Sequence, residues 1–154
     1  MKRSLLALPL LVLAPAAHAH TVDNGGGLLS AALHPLTGID HLLAMVTVGL
    51  WAALLAREQP RSRWLLPLTF LAAMAAGAGL AVAGVSLPAY ERALTGSVVI
   101  LGLILLAVMP VRLPIAMGLT AAFALVHGYA HGIELPLGTS PLETAAGVLL
   151  ATAA

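Results

Sequence analysis

The sequence predicts an all-α fold, a polytopic bundle of transmembrane helices, and three observations predict it. Hydrophobic residues make up 60% of the 154 residues and charged residues only 8%, whereas a soluble domain carries about a quarter charged. Apolar runs long enough to cross a bilayer, at about 20 residues each, alternate with short turns rich in proline and arginine. The basic residues sit in those turns and at the N-terminus, never inside the apolar runs. The absence of cysteine excludes thiolate metal sites, disulfides and thiol chemistry. Scattered basic residues without interleaved aromatics leave no footprint for nucleic acid.

Residues 1–19 read as a cleaved signal peptide. Lys2 and Arg3 precede a short apolar core broken by Pro9 and Pro15, and Ala17-His18-Ala19 forms an A-x-A cleavage signal. Residues 20–154 then form a single transmembrane domain beginning at His20, an exposed terminal histidine expected to be incidental. TVDNGGG is a polar lead-in, and Leu28 to Leu33 a short interfacial or re-entrant piece. Proline fits the first turn of a helix, so the first span is expected from Pro35 to Ala56, about 33 Å.

The loop REQPRSR follows, then a second span over 64–85, whose Ala73, Gly77 and Ala81 form a small-xxx-small stripe for close helix packing. A third span is expected over 93–109 and a fourth over 115–133. TAAGVLLATAA begins like a fifth span and stops after half of one, so four complete spans plus a truncated fifth, 144–154, are expected. The turns after spans one and three hold Arg57, Arg61, Arg63 and Arg112, against Arg92 alone after span two. The arginine-rich turns are therefore expected in the cytoplasm. The cleaved signal independently puts the mature N-terminus outside the cytoplasm.

This orientation brings two polar clusters, far apart in sequence, to one side of the membrane. In HPLTGIDH, His34 and His41 are two turns apart and face one way if the helix begins early enough. Asp40 either ligates directly or fixes a histidine tautomer. An aspartate about 8 Å inside a span is costly unless paired or wet, which makes a functional role the default. Met45, one turn on, is expected to pack, and Gly38 and Gly49 to serve close helix contact. In VHGYAHGIE, His127, His131 and Glu134 fall at i, i+4, i+7 within an arc of roughly 60°. From that spacing both imidazoles reach one metal. Gly128 and Gly132 leave room for a neighbouring helix or for ion passage. Four imidazoles and two carboxylates suit Ni²⁺, Co²⁺, Zn²⁺ or Cu²⁺, and ligand type alone does not choose among them.

These motifs resemble those of the HupE/UreJ hydrogenase and urease accessory membrane proteins. The family's HPxxGxDH is met by His34, Pro35, Gly38, Asp40 and His41. Its FHGxAHGxE is met by His127, Gly128, Ala130, His131, Gly132 and Glu134, with Val126 where the family usually has phenylalanine. The resemblance implies a nickel permease, with cobalt sometimes proposed as cargo, and His34, Asp40, His41, His127, His131 and Glu134 as its metal ligands. It implies no prosthetic group and no enzyme activity. The partners it implies are the lipid bilayer, the Ni²⁺ ion and hydrogenase or urease maturation proteins, with a homo-oligomer left open. Two rivals stand beside transport: a membrane-embedded zinc hydrolase with Glu134 as general base, and a metal-binding chaperone or sensor that does not translocate. No nucleotide-binding motif supports ATP-driven transport by this chain alone.

Overall fold

The computed structural model describes residues 38–107, 110–134, 140, 146–148 and 150–152. The expected signal peptide, His20, the piece from Leu28 to Leu33, and His34, Pro35 and Thr37 lie outside the described residues. All secondary structure among the described residues is helical, in the order α1 (Ile39–Leu55), α2 (Ser62–Val82), α3 (Tyr90–Leu106) and α4 (Leu113–Ile133). Residues 146–148 and 150–152, within the expected fifth span, are also helical.

Two helices, α2 and α4, are long and apolar enough to cross a membrane. At 21 residues each, they measure about 31 Å, close to the thickness of a bilayer core. α1 and α3, at 17 residues each, reach only about 25 Å. Most of the apolar surface of α2 and α4 faces outward, and Leu68, Leu103 and Ile115 are more than half exposed. Such faces are foreign to the core helices of a soluble protein.

Helix boundaries differ from the expected ones for local reasons. α1 starts at Ile39, not Pro35, because Gly38 is extended (φ −77°, ψ 107°) and serves as N-cap. Asp40 is consequently the second helical residue, in the first turn rather than about 8 Å inside a span. α2 runs over 62–82 because its start is held by Ser62, whose hydroxyl donates to the Ala52 carbonyl at 2.9 Å. Its end is a Schellman motif, with Gly84 at φ +76°, Val85 N–H on Leu80 O (3.0 Å) and Gly84 N–H on Ala81 O (2.9 Å). α3 begins at Tyr90, after Ala89 in the left-handed region, and so takes Glu91 and Arg92 out of the expected loop into its first turn. α4 starts two residues earlier than expected, with Pro114 accommodated in the first turn.

α2 and α4 form the most intimate pair in the bundle. A Cβ at Gly77 would collide with the Leu125 carbonyl and lie 2.8 Å from Tyr129 N, and one at Gly132 would lie 2.6 Å from Ala81 Cβ. The small-residue stripe expected on the second span therefore does what was expected of it. Gly128 meets the Met74 backbone in the same interface, so it and Gly132 serve helix packing rather than ion passage. Gly49, expected at a close contact, is exposed with nothing within 4 Å of its would-be Cβ. Met45 packs against the core, as expected.

Two side chains fix which turns share an end. Gln59 donates from Nε2 to Val111 O (3.0 Å), and its Oε1 accepts from Leu113 N–H (2.7 Å), joining the α1–α2 turn to the entry of α4. Arg57, Arg61, Arg63 and Arg112 thus lie at one end of the bundle. At the other end the Tyr129 hydroxyl donates to Val85 O and accepts from Leu87 N–H, each at 2.9 Å, holding the α2–α3 turn against the tip of α4. Removing the Gln59 amide strips partners from two backbone groups in a partly buried site. Gln59→Ala is expected to lower stability in detergent by about 1–3 kcal/mol. Thermal unfolding checks this, and an unchanged midpoint would show the clamp to be dispensable.

Candidate metal site

Each helix that carries histidine buries one stripe. On α1 the buried residues are His41, Ala44, Val48, Trp51, Ala52 and Leu55, which fall within about 100° of arc. On α4, Ala116, Thr120, Ala124 and His127 are buried along one face, and His131 extends it one turn further. α1 leaves the end that α4 reaches, so the two stripes bring their histidines to one level. His131 Nε2 lies 3.1 Å from His41 Nδ1. The two rings meet edge-on with centroids 4.7 Å apart, and His127 stands with its centroid 6.2 Å from that of His41. Phe70 of α2 lies at the same 6.2 Å from His41 and walls the cluster.

Hydrogen-bond partners decide where the ring protons sit. The Thr152 hydroxyl donates its proton to Val148 O at 2.7 Å. It can only accept from His41 Nε2, 3.1 Å away. His41 thus carries its proton on Nε2, and in the neutral ring Nδ1 is the acceptor for His131 Nε2–H. A carbonyl likewise only accepts, so His127 Nδ1 donates to Phe123 O at 2.9 Å. That bond makes Nε2 the lone-pair nitrogen of neutral His127. Such outer partners are what orient imidazoles for a metal.

Two nitrogens about 2.0–2.1 Å from a shared metal stand roughly 2.9 Å apart at a right angle and roughly 3.3 Å apart at the tetrahedral angle. The 3.1 Å between His41 and His131 falls inside that window. In the structure a proton lies between them, and a metal in its place requires His131 to move that proton to Nδ1. Among the described residues no three His, Asp or Glu side chains already converge as a ligand cage.

The structure therefore brings His41, His127 and His131 together. Glu134, expected on the same stripe, is the C-cap of α4, with its N–H on Ala130 O at 3.1 Å and its side chain exposed. His34 and the side chain of Asp40 lie outside what the structure describes.

The HupE / UreJ protein family matches residues 8–154. This chain belongs to the HupE/UreJ family. "Protein HupE" of Rhizobium leguminosarum bv. viciae is 39% identical over 145 residues, which cover 94% of this chain and 74% of that protein. No solved structure matches. The family is one of membrane proteins associated with hydrogenase and urease accessory function. In this member, sequence reasoning missed Thr152, Phe70 and Tyr129. Thr152 lies in an apolar run with nothing to single it out. Tyr129 had a signal, since it interrupts a histidine and glycine motif and is a polar aromatic at a helix tip.

Proposed function

We propose that this HupE/UreJ protein is a bacterial inner-membrane permease. It takes up a divalent transition metal, foremost Ni²⁺ with Co²⁺ as the second candidate, from the periplasm to supply hydrogenase or urease maturation. One observation carries this reading: the 3.1 Å approach of His41 and His131 from helices far apart in sequence, at the end of the bundle opposite Arg57, Arg61, Arg63 and Arg112. Under the positive-inside rule that end faces out. In this reading α1 to α4 all cross the bilayer, the shorter two inside a locally thinned membrane, and the helical residues after 146 start a fifth crossing.

The ion is cargo, not a resident cofactor, and the chain performs no covalent chemistry. His41, His127 and His131 form the centre of the capture site, with His34, Asp40 and Glu134 as the remaining ligands. Nitrogen-rich borderline donors select Ni²⁺ and its neighbours over Mg²⁺ and Ca²⁺. Monodentate imidazoles exchange fast enough to release what they bind. The family's association with hydrogenase and urease nickel accessory function supports the metal and its destination.

The test is ⁶³Ni²⁺ uptake into cells making this protein, beside His131→Ala at equal membrane abundance, with Co²⁺ and Zn²⁺ as competitors. Saturable uptake that His131→Ala reduces to background, displaced by Co²⁺ better than by Zn²⁺, is the expected result. Normal membrane levels without uptake above background would reject the permease.

A further inference from the structure

In the half of the bundle nearer the arginine end, two buried polar atoms find no hydrogen-bond partner among the described residues: Thr120 Oγ1 and Trp51 Nε1. Thr120 is fully buried and Trp51 is 2% exposed. Hydroxyls on other helices here bond back to their own backbone, Thr95 to Glu91 O at 3.1 Å and Thr152 to Val148 O at 2.7 Å. That is the ordinary solution for a threonine inside an apolar helix. Thr120 does not adopt it: its hydroxyl makes no bond to a carbonyl of its own helix.

The two atoms also share a level. Thr120 lies eleven residues below His131 on α4, about 16 Å along the axis, and Trp51 ten residues below His41 on α1, about 15 Å. Both lie on the faces that bear the histidines. α1 touches α4 only lightly compared with its contacts to α2 and α3. At the arginine end, a cleft of about 350 Å³ is lined by Trp51 itself and by Leu55, Ile104, Leu105, Glu58 and Arg112. A water takes about 30 Å³, so the cleft has room for roughly ten. Buried polar groups without protein partners are what ordered water satisfies.

We infer that this cleft continues inward as a hydrated passage, past the Trp51 indole N–H to the Thr120 hydroxyl. The inference rests on the permease reading for its role: an ion leaving the histidine cluster meets a hydroxyl oxygen and water about 16 Å along, instead of the full apolar thickness. The hydration itself does not depend on that role. Trp51 donates to the water chain, and Thr120 both donates to it and offers an oxygen to a passing cation.

The protein has no cysteine, so single thiols report directly. N-ethylmaleimide reacts with the thiolate, which forms only where water reaches. In native membranes Thr120→Cys is expected to react at least ten-fold faster than Leu66→Cys, an equally buried position nearer the arginine end but in the dry core. Adding Leu105→Trp, which fills the cleft, is expected to slow Thr120→Cys at least five-fold. Thr120→Cys as inert as Leu66→Cys, or a rate indifferent to Leu105→Trp, would overturn the passage. Thr120→Val, which keeps shape and loses the hydroxyl, is expected to cut the ⁶³Ni²⁺ uptake rate at least five-fold, and full-rate uptake would remove the hydroxyl from the route. Fast labelling in a protein without any uptake would sink the permease and leave the passage standing. Uptake without labelling would do the reverse.

Discussion

His41→Ala is expected to weaken Ni²⁺ binding to the purified protein at least about 100-fold and to leave no uptake. His41 reaches both of the other clustered rings: it meets His131 at 3.1 Å, and its centroid is 6.2 Å from that of His127. Without it the α4 histidines lose the imidazole that α1 contributes. Thr152→Ala is expected to lose far less, on the order of 10-fold, because Thr152 acts only by holding the proton on His41 Nε2. Equilibrium dialysis with ⁶³Ni²⁺ measures both. Equal losses in the two variants would mean that Thr152 is itself a ligand, and wild-type affinity in His41→Ala would place the metal elsewhere.

Gly128→Ala should be the most damaging single methyl in the bundle. Its Cβ would be driven into the Met74 carbonyl and stand 2.6 Å from the Met74 carbon. Backbone cannot rotate aside as a side chain does, so α2 and α4 must separate along their tightest contact. Overpacking of this kind costs about 1–3 kcal/mol where side chains can adjust, and more is expected where they cannot. Gly118→Ala, on the same helix with nothing within 4 Å, is the control. It should be neutral or stabilising by about 0.5–1 kcal/mol, because alanine favours the helix. Thermal unfolding in detergent and abundance in the membrane separate the two, and equal stability would contradict the packing described for α2 and α4.

The number and order of the helices from Gly38 onward were legible because the arginines fall only between the apolar runs. So was the meeting of the two histidine motifs, since arginine placement alone puts both at one end. Helix starts were less legible. The rule that favours proline in a first turn pointed to Pro35, but Gly38 adopts an extended conformation and delays α1 to Ile39. Periodicity placed Glu134 in line with the two α4 histidines, yet the helix ends at Ile133, which leaves Glu134 as an exposed cap. The glycines in the histidine motif had two readings, and only the position of the Met74 and Ala78 backbone chose packing. Gly49 shows the limit of reading small residues as contacts, because nothing in composition says which face meets a neighbour. Thr152 and the unpartnered Thr120 and Trp51 atoms were illegible for a different reason: each matters through what lies across the bundle from it.

The double grip on the Tyr129 hydroxyl has a mechanical corollary. Turning α4 to carry His127 and His131 away from α1 would break the bonds to Val85 and Leu87 together, and would also unseat the interlocked backbones of α2 and α4. These two helices and the turn after α2 therefore move as one rigid leaf. Among the described residues, the histidine end of α1 is held instead by side-chain contacts of His41 to His131 and Thr152.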